Sequence, residues 1–269
     1  IVEGGANVTM EMVGDNIFDG STSWPGILVR DGAKLNIIGS GNIDATASVG
    51  GAGISVEGGA TLTLANDGEI RAVAAGEKPG IDVQAGTTLN IAGTGTLIAN
   101  GSGELAGIMV SENSTLTVDG SKVITANGSG AGAGIGVSPD ATMEVKSTYI
   151  GTITAQGGGG SPGTGAAGIG GHYGANSNFG DIFIHGGTVI AQGSGIGGGY
   201  ETGSGTVTGN VTITGGTVKA HGGRTLAGVS TGAGIGAGEN ADYNGTITIS
   251  GGIVYADGGD EDAAAIGGG

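Results

Sequence analysis

Apolar residues recur along this chain in pairs two positions apart, and the pairs themselves recur every 27 residues. Ile27, Ile54, Ile81, Ile108 and Ile135 form one column, and Val29, Val56, Val83, Val110 and Val137 form the column two residues on. A second pair of columns runs Val8, Leu35, Leu62, Leu89, Leu116, Met143 and Met10, Ile37, Leu64, Ile91, Val118, Val145. A third runs Ile43, Ile70, Leu97, Ile124 and Ala45, Ala72, Ala99, Ala126. Apolar residues at i and i+2 share one face of a strand, and no segment shows the helical period. The pattern predicts an all-β fold: a single-stranded parallel β-helix, or β-solenoid, with three short strands per coil. About nine coils of ~27 residues, spaced about 4.8 Å apart, make a rod of roughly 43 Å.

One domain is expected over 1–269, with regular coils in 1–137 and longer loops in 138–269. Coil openings continue at Ile169, Ile196, Ile235 and Ile266, now at steps of 34, 27, 39 and 31. The alanine column continues through Ala155, Ala191, Ala220 and Ala256, which reads as a small residue at one constant corner. Gly186-Gly187, Gly215-Gly216 and Gly251-Gly252 recur at a fixed offset between strands, so they read as tight corners. Val2 falls in the Val29 column, and neither end carries a capping helix. The expectation is a fragment of a longer chain whose open ends are covered by flanking coils, another domain or another subunit.

Composition narrows the possibilities further. Glycine supplies 67 residues against four prolines with no triplet period, which removes collagen. Mean hydropathy is +0.18, so there is a core to bury and the glycines punctuate strands. Net charge is −16, which disfavours phosphate backbones and anionic membrane surfaces as partners. Cysteine is absent, so no disulfide or thiolate metal site holds the fold. No apolar run approaches the ~20 residues of a membrane helix.

The segments GTITISGGIVYADG at 245–258, GNVTITGGTVKAHGG at 209–223 and GDIFIHGGTVIAQGSGIGGG at 180–199 resemble glycine-rich repeats of bacterial cell-surface proteins. Those are adhesin-like β-helices, some labelled carbohydrate-binding domain-containing. The resemblance spans most of the second half and looser parts of the first. It implies an extracellular adhesin or stalk with a glycan or surface protein as partner, and it carries over no functional residue. Right-handedness is implied by the resemblance and by the rule for parallel crossovers.

Candidate chemistry lies in the lengthened loops. Tyr173, Tyr200 and Tyr243 fall there, with His172, Asn176, Glu201, Glu239 and Asp242 as polar neighbours. Exposed aromatics beside carboxylates and amides suit sugars, by stacking on a ring face and bonding its hydroxyls. A loop tyrosine packed on a neighbouring corner explains the same residues without a ligand. A pectinase-like lyase or hydrolase is the enzymatic rival, with Asp181 and Asp242 as its nearest acids, but no paired acids share a column with a base. A purely structural or fibre-forming rod is a further alternative. Outward threonines (Thr61, Thr88, Thr115, Thr142) suggest an ice-binding face, although threonine is an ordinary outward strand residue and Lys34 and Glu144 interrupt the array. Asp257, Asp260, Glu261 and Asp262 form an acidic turn able to attract calcium, but the cluster lacks the order of a calcium-binding β-roll. His172, His185 and His221 lack zinc spacing, and no cofactor is otherwise expected.

Overall fold

A computed structural model describes residues 1–159, 165–172, 177–199, 205–223, 232–259 and 263–268. Three nine-stranded parallel sheets wrap around one lumen as a β-helix of the right-handed type. The first wall opens with Ile27–Val29, the second contains Lys34–Gly39, and the third contains Asn42–Ala47. Each strand pairs with its equivalent one coil away. Val56 lies opposite Val83, Leu62 opposite Leu89, and Ala72 opposite Ala99. All six are fully buried. Val2 bridges to Val29 in parallel, so the first coil enters in register.

The inward columns form one continuous hydrophobic core from Met12 to Ala241. A buried isoleucine or leucine removes its whole side chain from water, worth about 1.5–3 kcal/mol each, and the period of two turns the intervening residues outward. The threonine columns therefore stack on the outer face of the second wall, Thr61 on Thr88 on Thr115 on Thr142.

Two expectations require correction. The alanine column lies within the strands of the third wall, not at a corner, and its first member is Phe18, opposite Ala45. The lengthened loops also form structure of their own. Gly205–Val207 pairs in parallel with Ala241–Tyr243 as a separate two-stranded sheet, so Tyr243 sits on a strand. The Gly-Gly corners behave as expected, with Gly187, Gly216 and Gly252 at φ 67°, 76° and 81°.

One corner, between the second and third walls, holds a polar group in the interior. The residue just before each third-wall strand is Gly41, Gly68 and Gly95 in successive coils, and then Lys122. Lys122 is fully buried and reaches back along the axis. Its Nζ donates to the Asn66 carbonyl two coils away at 2.7 Å and to the Thr94 carbonyl. Asn66 is itself buried and donates from Nδ2 to the Gly41 carbonyl at 3.1 Å. Tyr149 closes the next coil, its hydroxyl donating to the Lys122 carbonyl at 2.7 Å. Desolvation lowers the Lys122 ammonium from 10.5 to about 8, partly offset by the charge of Asp67.

Candidate functional site

The corner between the first and second walls ends, in every coil, on a turn two residues ahead of the second-wall strand. In the early coils the residue two places before each second-wall strand is a glycine with positive φ: Gly32 at 73°, Gly59 at 76° and Gly86 at 73°. Asn113 and Asp140 then take the same position, at 57° and 60°. Asparagine and aspartate tolerate the left-handed region better than other side chains do, so the turn survives while gaining two polar arms. In the following three coils Phe179, Thr208 and Asn244 occupy that position, and Gly180, Gly209 and Gly245 follow them.

These columns shape a cleft of about 650 Å³. Its lining is drawn from five successive coils, so it runs along the rod axis for roughly 19 Å at about 4.8 Å per coil. Gly180, Gly209, Gly245 and Phe179 line it together with Asn113, Pro139, Asp140, Thr208 and Asn244 of the corner side. The other side is the start of the second wall, where a hydrogen-bonded file fixes the side chains. Asn210 Nδ2 donates to Asp181 Oδ1 at 2.8 Å, and the Thr246 amide donates to Asn210 Oδ1 at 3.1 Å. The Phe179 ring lies beneath Gly209, where a Cβ would come within 2.6 Å of it. Amides, hydroxyls and two carboxylates thus face the cleft, and its described lining contains no lysine, arginine or histidine.

Of the ligand- and calcium-site residues expected from sequence, His172, Glu239, Asp242, Tyr243 and Asp257 are among the described residues, and none of them lines the cleft. Tyr173, Asn176, Tyr200 and Glu201 lie outside the described residues, as do Asp260, Glu261 and Asp262. Tyr243 is half-buried and does not offer an open ring face. It stacks on Phe179 at 6.3 Å between centroids with 17° between planes, and its hydroxyl donates to the Gly209 carbonyl at 2.8 Å. Burial pushes its phenol up to about 12. Tyr243 thus packs against Phe179 and Gly209, two residues that line the cleft. His172 packs on the outer face of the first wall, over the outward positions Met109 and Gly136. Its Nδ1 accepts from the Ala133 amide at 3.4 Å, and Nε2 faces Met109 Sδ at 3.0 Å across Gly136. Burial lowers its pKa and favours the neutral ring.

The remaining acids have separate surroundings. Asp242 is exposed on the small two-stranded sheet opposite Thr206, and Glu239 has its carboxyl raised by burial. Neither lines the cleft. Asp257 lies 2.8 Å from His221 Nδ1 on the third wall. Among the described residues no three histidine or acidic side chains converge to hold a metal ion. Glu57 and Asp82 come together on the first wall, both accepting from Gln84 Nε2, at 3.1 and 3.3 Å. They belong to an outward ladder that also contains the Arg30–Glu3 ion pair.

Sequence reasoning named Asp181 but missed Asn113, Asp140, Phe179, Asn210 and Asn244 as a group. The signal was present in the columns: aligning each coil on its second-wall strand brings these residues into adjacent registers. A column whose residue type changes from coil to coil carries no repeat signature, whereas the lengthened loops bearing tyrosines stand out.

A family model described as Beta helix repeat matches residues 184–200, 211–239 and 247–269. With the solenoid itself, this match supports a β-helix repeat protein. No curated protein and no solved structure matches the chain.

Proposed function

We propose that the chain is a segment of an extracellular adhesin or stalk, and that the axial cleft is its carbohydrate-binding face. The observation that carries this reading is the cleft itself: an open channel across five coils whose lining is dominated by amide, hydroxyl and carboxylate groups held in register. Pockets of 300–1,000 Å³ with convergent polar groups suit small ligands, and a channel aligned with repeating coils suits a repeating polymer. Phe179 lines the cleft but is largely buried and stacked against Tyr243, so recognition rests on hydrogen bonds from the polar lining.

Hydrogen-bond recognition also weighs against the enzymatic rival. Lyase chemistry would use a basic proton acceptor, and the described lining holds no lysine, arginine or histidine; hydrolysis would require Asp140 and Asp181 to act as a pair, and Asp181 is engaged by the Asn210 amide. A glycan array tests the reading, with the intact chain and an Asp181→Ala/Asn210→Ala variant. Binding by the former and its loss in the latter are expected. Retention in the variant would place the ligand elsewhere, and no binding by either would sink the reading.

A second reading, a structural rod, draws on the three continuous nine-stranded walls, whose register needs no ligand to hold it. Electron microscopy at several protein concentrations separates the two, since a fibre-forming rod lengthens with concentration.

A further inference from the structure

We infer that the axial cleft discriminates by charge, taking oligosaccharides that carry free amines, of the glucosamine type, and rejecting polyuronates. The inference rests on the carbohydrate reading above and adds the chemical class of the sugar.

Charge within the cleft is one-sided. Asp140 and Asp181 supply two carboxylates from consecutive coils, and the other polar groups are the uncharged side chains of Asn113, Thr208, Asn210 and Asn244. Asp181 is anchored by the Asn210 amide, so its charge is fixed along the second-wall side. Asp140 is held at its turn by a left-handed backbone that few other side chains adopt. The cations nearest in sequence are engaged elsewhere, Lys146 with Glu144 at 2.6 Å. The whole chain carries −16, so no long-range field compensates the cleft.

A uronate entering such a channel would bring a carboxylate on every sugar against fixed carboxylates with no cation in the described lining to receive it. A sugar amine reverses each of those interactions. An ammonium near a carboxylate in a half-solvated groove tightens binding by roughly threefold per contact, so about tenfold over the two carboxylates. Salt at physiological strength screens beyond about 8 Å, so the preference reflects acids in the cleft more than distant ones. The carboxylates also accept hydrogen bonds only, which matches an ammonium's three donors.

The test is titration calorimetry at low and physiological salt with four soluble oligomers of equal length: glucosamine, N-acetylglucosamine, glucose and galacturonate. The expected result is binding of the glucosamine oligomer roughly tenfold tighter than its acetylated counterpart, with no binding of galacturonate. Asp140→Asn/Asp181→Asn should erase the preference while retaining the neutral oligomers. The remote pair Glu11→Gln/Asp19→Asn should change nothing, which separates the cleft from net charge. Equal affinity for amine and acetylated oligomers, or galacturonate binding with or without added calcium, overturns the inference and leaves the carbohydrate reading standing. An amine preference that survives the double cleft variant overturns it as well. Failure of every oligomer to bind overturns both.

Discussion

Lys122 offers the sharpest test of the physical account. The folded chain holds its ammonium in a fully buried corner, and desolvation lowers its pKa from 10.5 to about 8. At about 1.4 kcal/mol for each tenfold change, keeping it charged costs the fold roughly 3 kcal/mol relative to the unfolded chain. Between pH 8 and 10.5 the unfolded state still binds a proton that the folded state has released, so stability rises with pH across that window. About 2 kcal/mol of the gain should appear between pH 8 and 10, from integrating the two titrations. Above pH 10 the buried phenols of Tyr149 and Tyr243, both held protonated by desolvation, pull in the opposite direction. The assay is urea denaturation at several pH values, comparing midpoints at constant m. Lys122→Met, similar in length and uncharged, should lack the rise. It should also lose about 1–3 kcal/mol at pH 10, because the carbonyls of Asn66 and Thr94 lose their buried donor. A wild-type stability that is flat or falling from pH 8 to 10, in parallel with the Met variant, would refute the buried-ammonium account.

Other consequences follow from the same packing. Ala99→Phe should overpack the third-wall column and cost about 1–3 kcal/mol or more, whereas Ile98→Thr on the outer side of the same strand should stay within about 0.5 kcal/mol; thermal melts of both variants check the inward assignment. Tyr243→Phe should keep the stack on Phe179 but lose the hydrogen bond to Gly209, lowering stability by about 1 kcal/mol, measured by the same melts. Gly216→Val should destabilise by more than about 1 kcal/mol, since φ is 76° and the new Cβ would approach the Gly186 carbonyl at 2.6 Å. Reduced soluble yield or an earlier urea midpoint would register that loss.

The walls of the solenoid were readable from sequence because their physics is local and repetitive. A period of two fixes which side chains share a face, and a step of 27 fixes which neighbours they meet, so Val56 beside Val83 follows from counting. The Gly-Gly corners were readable for a related reason: only a residue without Cβ turns there repeatedly. The cleft followed another rule. Asn113 and Asp140 replace turn glycines, and a column of changing polar identity leaves no apolar signature. Tyr243 gave the opposite signal, since an aromatic in a long loop reads as exposed until Phe179 and Gly209 are placed against it.

Sequence alone therefore determined the repeat, the strand faces and the identity of the core, because each depends on residues a fixed number of positions apart. Only the tertiary structure decided which corner opens into a channel, that Lys122 is buried against carbonyls one and two coils behind it, and that Tyr243 packs on Phe179 and Gly209 of the cleft lining. Those outcomes depend on side chains meeting across coils whose loops have unequal lengths, and no constant spacing in the chain encodes where such loops fold back.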